Sequence, residues 1–220
     1  MMSAMNKTIV LITGANQGLG FEVAKKITTE NPGSYHVLMG YRDEIKGNEA
    51  VVKLQSESLS VEGIRIDITD DASIKVAVDE VTRKYGLLDV LVNNAGAIPK
   101  DTTTRQTWQA AFDLDTTSHV VVTEAFLPLL EKSVLPRIVF FSSALGSCAG
   151  RNDPEDQFAN FAFPAYRASK AAINMVTCHY ANMLGPKGWK VNASDPGFCA
   201  TKLQRFPWLG NSRERRTGDC

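Results

Sequence analysis

The sequence contains few of the residues that hold metal ions or build disulfide frameworks. Its 220 residues include four cysteines and three histidines, which are scattered without the paired spacing of a zinc or redox motif. They are Cys148, Cys178, Cys199, Cys220, His36, His119 and His179. We therefore predict no metal site, and we interpret the cysteines as reduced thiols of an intracellular protein.

Long apolar runs are also missing. The longest early run, IVLI, is too short for the apolar part of a signal peptide or for a membrane span. Charge of one sign is not in excess either, because 24 Lys and Arg residues match 24 Asp and Glu residues. This balance gives no reason to propose a nucleic-acid partner. We expect a cytoplasmic protein without membrane or nucleic-acid partners.

The composition is that of an ordinary globular protein. Hydrophobic residues make up 44% of the chain, which is enough for one buried core, and no repeat or low-complexity segment divides the sequence. We predict a single domain over residues 1–220. Within it, residues 202–220 form an atypical tail.

Short apolar runs alternate with segments of helical periodicity. The runs predict strands over 7–13, 35–41, 61–67, 88–94, 136–143 and 188–196, and the periodic segments predict helices over 19–30, 45–57, 70–86, 105–130 and 165–184. Strands separated by helices pair in parallel through right-handed crossovers, with helices on both faces of the sheet. The alternation predicts an α/β fold of three layers with a doubly wound parallel sheet of Rossmann type. Ligands of such folds bind at the carboxyl ends of the strands.

The segment TGANQGLG lies between the first strand and the first helix. Gly14, Gly18 and Gly20 permit a tight turn, a close approach of ligand to backbone, and close packing of the helix. The free N–H groups of that helix would face a pyrophosphate. The spacing is GxxxGxG rather than GxGxxG, and taken alone the segment fits a structural turn equally well. Its position after the first strand favours a nucleotide.

The second predicted strand is followed by YRDE. A carboxylate at this place binds the ribose 2′-hydroxyl of NAD, whereas an arginine suits the 2′-phosphate of NADP. Tyr41 followed by Arg42 therefore favours NADP(H) over NAD(H). A solvated surface arginine is the alternative.

Tyr166 and Lys170, in the stretch YRASK, stand four residues apart on a predicted helix. Positions four apart share one face, so the phenol and the ammonium group would lie side by side. Taken alone, this spacing is explained more simply by an amphipathic helix with two polar residues at its edge.

The motifs gain meaning from their order along the chain. TGANQGLG, NNAG at 93–96, a serine at the end of the fifth strand, YRASK, and DPG at 195–197 together resemble the classical short-chain dehydrogenase/reductase family. The similarity runs from about residue 7 to Thr201, and within the family Arg42 and the stretch GLLDVLVNNAGAI most resemble NADPH-dependent carbonyl reductases. The resemblance implies an oxidoreductase that interconverts a ketone or aldehyde and its alcohol by hydride transfer, with a small molecule as substrate. The family includes homo-oligomers and monomers, so both states stay open.

The resemblance also implies roles for individual residues. Tyr166 would be the general acid or base, Lys170 would lower its pKa and hold the nicotinamide ribose, and Ser143 would polarise the substrate oxygen, with Ser142 structural. The implied cofactor contacts are Gly14, Asn16, Gln17, Gly18, Leu19 and Gly20 at the pyrophosphate, Arg42, Asp67 and Asn94 on the adenosine side, and Tyr166, Lys170, Cys199 and Thr201 at the nicotinamide end. Asp67 and Asn94 also fit strand caps, and Cys199 also fits simple packing.

Three features depart from the family pattern. Asp115 stands where relatives commonly have an asparagine that completes a tetrad with the serine, tyrosine and lysine. A carboxylate there would either order water or pair with Lys170 and change its effect on Tyr166. The segment between Ser143 and Tyr166 is longer than in many relatives, and its surplus either borders the substrate pocket or is a surface excursion. The chain ends soon after Thr201, so we expect a shortened C-terminal end and an exposed sheet edge.

These departures leave a second function open. If Asp115 or the short terminus abolished catalysis, the chain would be a nucleotide-binding protein with a regulatory or partner role. The intact set of Ser143, Tyr166 and Lys170 favours the reductase.

Overall fold

Six parallel strands form one sheet in the part of the chain that the structure, a computed structural model, describes, namely residues 7–98 and 104–197. The strands are β1 (Thr8–Ile12), β2 (Tyr35–Tyr41), β3 (Val61–Arg65), β4 (Val90–Asn93), β5 (Arg137–Phe141) and β6 (Lys190–Ser194). Their order in the sheet is β3-β2-β1-β4-β5-β6. The order reverses between β1 and β4, which opens a crevice at the carboxyl ends of these two strands. The predicted doubly wound fold of Rossmann type is confirmed.

Helices connect the strands on both faces of the sheet. They are α1 (Gly18–Glu30), α2 (Glu44–Ser56), α3 (Asp71–Tyr85), α4 (Thr104–Phe112), α5 (Ser118–Leu130), α6 (Cys148–Asn152) and α7 (Pro164–Leu184). A π-helical segment, Asp113–Thr117, joins α4 to α5, and short 3-10 turns cover Ala144–Gly146 and Gly185–Lys187.

Alternate residues of the strands pack on opposite faces of the sheet. Leu11 belongs to an apolar cluster with Phe126 of α5 and Ile173 of α7. Its neighbour Ile12 belongs to a second cluster, which includes Phe21 of α1. Each fully buried aliphatic side chain of this kind contributes roughly 1.5–3 kcal/mol to stability. The two clusters bind a helical layer to each face, which gives the predicted three layers.

The helices α2 and α3 begin with a side-chain cap, whereas α1, which starts beside the crevice, does not. Asp43 caps α2 by accepting a hydrogen bond from the backbone N–H of Lys46 at 3.1 Å, and Asp70 caps α3 in the same manner. Gln17 precedes α1 in extended conformation and makes no side-chain cap hydrogen bond. The first-turn N–H groups of α1 are therefore left for another acceptor beside the end of β1.

The structure departs from the predicted elements in the second half of the chain. The single helix predicted over 105–130 is wrong in its middle, because the π-helical segment Asp113–Thr117 interrupts it. A π turn takes an extra residue, and Asp115 is fully buried while Asp113 is exposed. The segment between β5 and α7 also contains the unpredicted short helix α6.

The described residues hold neither a membrane-spanning helix nor a metal cluster. No helix in the two described ranges is long and apolar enough to cross a membrane. Within the same ranges, no group of three or more His, Cys, Asp or Glu side chains is arranged to hold a metal ion. The expectations for Cys199, Thr201 and residues 202–220 lie outside the described residues.

Candidate active site

The glycine turn after β1 is built for close contact with a ligand. Gly14 and Gly18 both adopt left-handed backbone conformations, with φ of 65° and 58°. A Cβ atom on Gly14 would lie 2.9 Å from the Cα atom of Ala95, so the turn rests directly on the segment that follows β4. Asn16 and Leu19 are half-buried in this turn and Gln17 is exposed. The predicted pyrophosphate residues are thus brought together at the uncapped start of α1.

Asn94 fixes the shape of this turn. Its side-chain nitrogen donates to the carbonyl oxygens of Thr13 at 2.8 Å and Gly14 at 3.3 Å. A Cβ atom on Gly20 would lie only 2.5 Å from the same nitrogen, which explains the glycine there. The amide donors of Asn94 are therefore used on the protein backbone. This observation favours the structural alternative for Asn94 over a donated contact to the adenosine.

Arg42 and Asp67 stand together at the ends of β2 and β3. The Arg42 Nε atom lies 3.9 Å from an Asp67 carboxylate oxygen, and the arginine side chain is 76% exposed. Asp67 also accepts hydrogen bonds from the hydroxyl group of Thr69 at 2.7 Å and from its N–H group at 3.1 Å. An exposed ion pair at this distance stabilises little. Arg42 therefore keeps its fork of N–H donors accessible at the crevice edge, while Asp67 acts in part as a cap for the turn after β3.

Ser143 and Tyr166 meet at the carboxyl end of β5. Tyr166 lies in the first turn of α7, where the hydroxyl group of Ser143 is close enough to interact with its phenol. Ser143 also caps a 3-10 turn by accepting from the Leu145 N–H at 3.2 Å. Asp195 of the DPG motif supports the same turn by accepting from the N–H group of Ala144 at 2.9 Å. Ser142, by contrast, donates to the side chain of Asn174 at 2.6 Å, which suits the structural role expected for it.

Lys170 and Asp115 form a buried ion pair beneath the tyrosine. The Lys170 Nζ atom lies 3.8 Å from Asp115 Oδ1 and 5.6 Å from the centre of the Tyr166 ring, and it donates to the carbonyl oxygen of Phe141 at 2.9 Å. Asp115 Oδ2 accepts a hydrogen bond from the Ser169 hydroxyl group at 3.3 Å. The structure contains the expected pairing of Asp115 with Lys170.

Burial dominates the protonation of these groups. It raises the pKa of Asp115 and lowers the pKa of Lys170, and the attraction between the two side chains opposes both shifts. The pKa of Tyr166 is raised, first by burial and then by the negative charge of Asp115, and the hydrogen bond from Ser143 only partly opposes this. The resemblance implies a lowered pKa through Lys170. The described residues act in the opposite direction, because burial and then the negative charge of Asp115 disfavour the ionised phenol.

His119 lies near Lys170, and the sequence predicted no role for it. His119 is fully buried and its Nε2–H group donates to the Ala95 carbonyl oxygen at 2.6 Å. Burial and the nearby Lys170 charge lower the pKa of His119 to about 3, so the ring is neutral. Its spacing of four residues from Asp115 on a helical segment was the available signal.

A second unassigned residue is Arg167, which follows the tyrosine in YRASK. The residue is almost fully buried, and its guanidinium group donates to the backbone carbonyl groups of Leu145 and Phe158. The basic residue inside a motif of otherwise small residues was the only sequence signal for it.

Comparisons with known proteins agree with this geometry. The family model for short chain dehydrogenase matches residues 8–208. The short-chain dehydrogenase/reductase eupG of Phoma sp is 38% identical over 240 residues, covering 98% of this chain and 86% of that protein. The structure of an NADPH-bound carbonyl reductase from chicken fatty liver superposes with a TM-score of 0.80 at 28% identity, covering 90% of this chain and 82% of that one.

A third similar protein is an actinorhodin polyketide ketoreductase solved with NADPH, with a TM-score of 0.78 at 26% identity. The match covers 92% of this chain and 74% of that one. The glycine turn, the Ser143–Tyr166 contact and Lys170 thus occur in a chain that resembles known reductases over most of its length. We conclude that this chain belongs to the classical short-chain dehydrogenase/reductase family and is similar to its carbonyl reductases.

Proposed function

We propose that the protein is an NADP(H)-dependent oxidoreductase that interconverts a ketone or aldehyde and its alcohol, with Tyr166 as general acid or base. The observation that carries the proposal is the contact between the hydroxyl groups of Ser143 and Tyr166 above the buried Lys170. This places two hydroxyl groups where both could contact one carbonyl oxygen. The nicotinamide cofactor of the family supplies or accepts the hydride when it is bound.

The residues at the crevice fit that cofactor. The turn over 13–20 has two glycines of positive φ and leads into a helix without a side-chain cap or an acidic first turn. A helix start of this kind carries roughly half a positive charge and suits a pyrophosphate. Gly14, Asn16, Gln17, Gly18, Leu19 and Gly20 would hold it, with Asn94 fixing the turn from behind. Cys199 and Thr201 remain proposed contacts at the nicotinamide end.

Arg42 supports a preference for NADP(H) over NAD(H). Its exposed guanidinium group can hold a 2′-phosphate with two parallel hydrogen bonds. The NADPH complexes of the carbonyl reductase and the ketoreductase, both similar to this chain, point the same way. Asp67 would stay beside the arginine and orient it rather than bind the ribose as an acceptor.

The protonation of the site favours carbonyl reduction. Ser143 would donate a hydrogen bond to the carbonyl oxygen, and Tyr166 would give its proton to that oxygen as the hydride arrives at carbon. Because the pKa of Tyr166 is raised, the phenol carries its proton throughout the physiological pH range. Asp115 would hold the ammonium group of Lys170 in place from below. Lys170 would in turn hold the nicotinamide ribose.

The test follows NADPH oxidation spectrophotometrically with ketones, aldehydes and quinones, and compares NADH as donor. We expect Tyr166→Phe to lower kcat by about 10²–10⁴-fold while NADPH binding, measured by fluorescence titration, is retained. The matched control is Tyr180→Phe, a buried tyrosine on the same helix that bonds Glu124 away from the site. Turnover that does not need Tyr166 would refute the assignment.

A second candidate function is a nucleotide-binding protein that no longer catalyses hydride transfer. The observation in its favour is the carboxylate of Asp115, which pairs with Lys170 and weakens its effect on the phenol. This function predicts tight NADPH binding with no turnover of any carbonyl compound. The intact contact between Ser143 and Tyr166 makes us prefer the reductase.

We also propose that residues 1–220 form one domain, that the protein is cytoplasmic, and that it acts on small molecules without nucleic-acid or membrane partners. The oligomeric state is part of the same proposal, with a homo-oligomer and a monomer both open. Light scattering coupled to size-exclusion chromatography measures it directly.

A further inference from the structure

The long segment between Ser143 and Tyr166 is a folded unit. Ser147 caps the short helix α6 by accepting a hydrogen bond from the Gly150 N–H at 3.0 Å. Asp156 accepts from the N–H group of Phe158 at 2.7 Å, and Arg151 donates to the carbonyl oxygen of Ala159 at 2.7 Å. These local bonds give the segment a defined shape before it reaches α7.

Arg167 then attaches this segment to the catalytic helix. Its Nε–H group is shared between the carbonyl oxygens of Phe161 and Ala162, both at 3.1 Å. One terminal nitrogen donates to Phe158 at 2.5 Å, and the other donates to Leu145 at 3.3 Å. The guanidinium fork thus donates to four carbonyl oxygens, three of them within residues 158–162 and the fourth on Leu145.

The arginine is held by backbone carbonyl groups rather than by a salt bridge. The residue is only 8% exposed, and among residues 7–98 and 104–197 no carboxylate forms a salt bridge with it. Burial lowers the pKa of Arg167, the positive charge of Arg151 adds to this effect, and the negative charge of Asp156 opposes it. A guanidinium group nevertheless stays protonated in proteins. A buried cation that donates its hydrogen bonds to carbonyl groups depends on those groups staying in place. The segment is therefore locked to the arginine.

The contacts of Arg167 involve segments that adjoin Ser143 and Tyr166. Leu145 belongs to the turn capped by Ser143, and Arg167 itself follows Tyr166. The adjoining Gly146 lies against α7 so closely that a Cβ atom on it would be 2.7 Å from the backbone of Lys170. One side chain thus joins the serine turn, the first turn of the catalytic helix, and an aromatic segment that we define as the wall, residues 158–163.

The wall is apolar and stiff at the point where it meets the helix. Phe158 and Phe161 form an edge-to-face pair with ring centres 6.0 Å apart. Phe163 adopts a left-handed conformation with φ of 43°, directly before Pro164 and within one turn of Tyr166. A non-glycine residue in this conformation costs about 1–3 kcal/mol and persists only where its surroundings enforce it. The carbonyl bonds of Arg167 provide that enforcement.

We propose that Arg167 is a positioning residue that holds the wall against α7, and that the wall selects carbonyl substrates with a bulky apolar or aromatic body. The proposal rests on the proposed reductase function, because it needs Ser143 and Tyr166 to act on a carbonyl group beside the wall. It extends that function by naming the substrate class and the residue that sets it. A small aliphatic aldehyde would react at the same two hydroxyl groups without needing the wall.

The experiment compares Arg167→Lys with the parent protein and with Arg151→Lys. The control removes the fork of an exposed arginine that holds the same segment through one carbonyl group. We expect Arg167→Lys to raise KM for a bulky aryl ketone about tenfold, because one ammonium group cannot reach four carbonyl groups. The kcat/KM for a small aliphatic aldehyde and the Kd for NADPH should change less than about threefold. Protease cleavage within 147–163 should become faster in this variant and stay unchanged in the control.

The outcomes separate this inference from the proposed function. Absence of turnover in the parent protein refutes the reductase itself. If the parent protein is active and the Arg167→Lys variant keeps both its selectivity and its protease resistance, the proposed role of Arg167 and the wall is wrong. Equal losses for the two substrates would also overturn it, because they would show a general effect on the fold or on the hydroxyl pair.

A second variant keeps the inference testable if Arg167→Lys fails to fold. Phe161→Ala keeps the carbonyl group that Arg167 binds and removes the aromatic ring from the wall. We expect it to lose preference for the aryl ketone by about tenfold while the small aldehyde reacts as in the parent. An unchanged ratio of the two kcat/KM values would contradict the inference.

Discussion

Replacing Asp115 by asparagine removes one buried negative charge and keeps the size of the side chain. The amide oxygen can still accept the hydrogen bond that the Ser169 hydroxyl group gives to the carboxylate. The change therefore acts mainly through charge on two neighbours. Lys170 lies 3.8 Å from the carboxylate, and Tyr166 lies beyond it, with its ring centre 5.6 Å from the ammonium group.

The magnitude follows from these two distances. Together they place the carboxylate within about 9 Å of the phenol ring, where two unit charges interact by about 2 kcal/mol at an effective dielectric constant of about 20. One pKa unit corresponds to about 1.4 kcal/mol. Loss of the charge should therefore lower the pKa of Tyr166 by about one unit or more. This direction follows from the structure, in which the charge of Asp115 raises that pKa.

The assay is alcohol oxidation with NADP⁺ as a function of pH. In this direction Tyr166 acts as a base, so kcat/KM rises with pH until the phenol is ionised. Asp115→Asn should move this limb to lower pH by about one unit, which makes oxidation about tenfold faster at a fixed pH on the limb. The matched control is Asp113→Asn, an exposed carboxylate in the same π-helical segment, which should leave the limb in place.

A limb that stays in place or moves to higher pH would refute the reasoning. The first result would mean that Asp115 is protonated and carries no charge beside Lys170. The second would mean that Lys170 loses its own proton once its partner is gone, so that the phenol loses a positive neighbour. Either result would remove the electrostatic basis for a site biased towards reduction.

Three further predictions concern the turn, the cofactor and acid stability. Gly20→Ala should cost roughly 1–3 kcal/mol of stability and weaken NADPH binding, because the new Cβ atom would lie 2.5 Å from the side-chain nitrogen of Asn94. In the control Gly185→Ala the new Cβ atom meets nothing within 4 Å, so thermal unfolding and NADPH titration should show no change. Arg42→Ala should raise KM for NADPH about tenfold and leave KM for NADH unchanged, with the exposed Arg65→Ala as control, and equal effects on both cofactors would contradict the 2′-phosphate role. His119 has a pKa lowered from 6.5 to about 3 in the folded state, so the unfolded chain binds the extra proton and stability falls as pH drops through that window, by up to about 1.4 kcal/mol per pH unit. In urea unfolding of His119→Gln between these pH values, the free energy of unfolding should change less steeply with pH than in the parent protein. An unchanged dependence on pH would count against a buried neutral imidazole.

The strands were predictable because a buried strand requires a short run of apolar residues, which is visible in the sequence. The run YHVLMGY predicts a strand over 35–41, and β2 spans the same residues, since its last five positions are all buried. The glycine turn was predictable for a related reason. Gly14 and Gly18 have positive φ, a conformation that few other residues adopt without strain, so the chemistry of the turn is visible in its residue types.

The π-helical segment was not predictable from the same kind of signal. Residues 105–130 have helical periodicity on both sides of DLDTT, and DLDTT contains no proline or glycine that would mark the π-helical segment. The π-helical conformation is decided by tertiary contacts that no local window contains. One of these is the hydrogen bond of 3.1 Å from the hydroxyl group of Thr116 to the carbonyl oxygen of Ser169 on α7.

The contacts of Arg167 could not be predicted from the sequence either. Its four acceptors are backbone carbonyl groups, which every residue has, so the residue types at positions 145–162 do not indicate the contact. A salt bridge would have required an acidic partner and could have been guessed from charge. The anchoring of the wall becomes visible only when the backbone path between β5 and α7 is known.

The peptide groups around Ala95 link the two halves of the site. The Ala95 N–H group donates to the hydroxyl group of Thr13 at 3.1 Å, and its carbonyl oxygen accepts from His119 at 2.6 Å. Its Cα atom lies against Gly14, where no side chain would fit. The turn that would hold the pyrophosphate and the buried layer of His119 and Lys170 are therefore joined through one residue. Because that residue cannot move towards either side without breaking a hydrogen bond or a backbone contact, displacement of the glycine turn should reach the groups that control the proton on Tyr166.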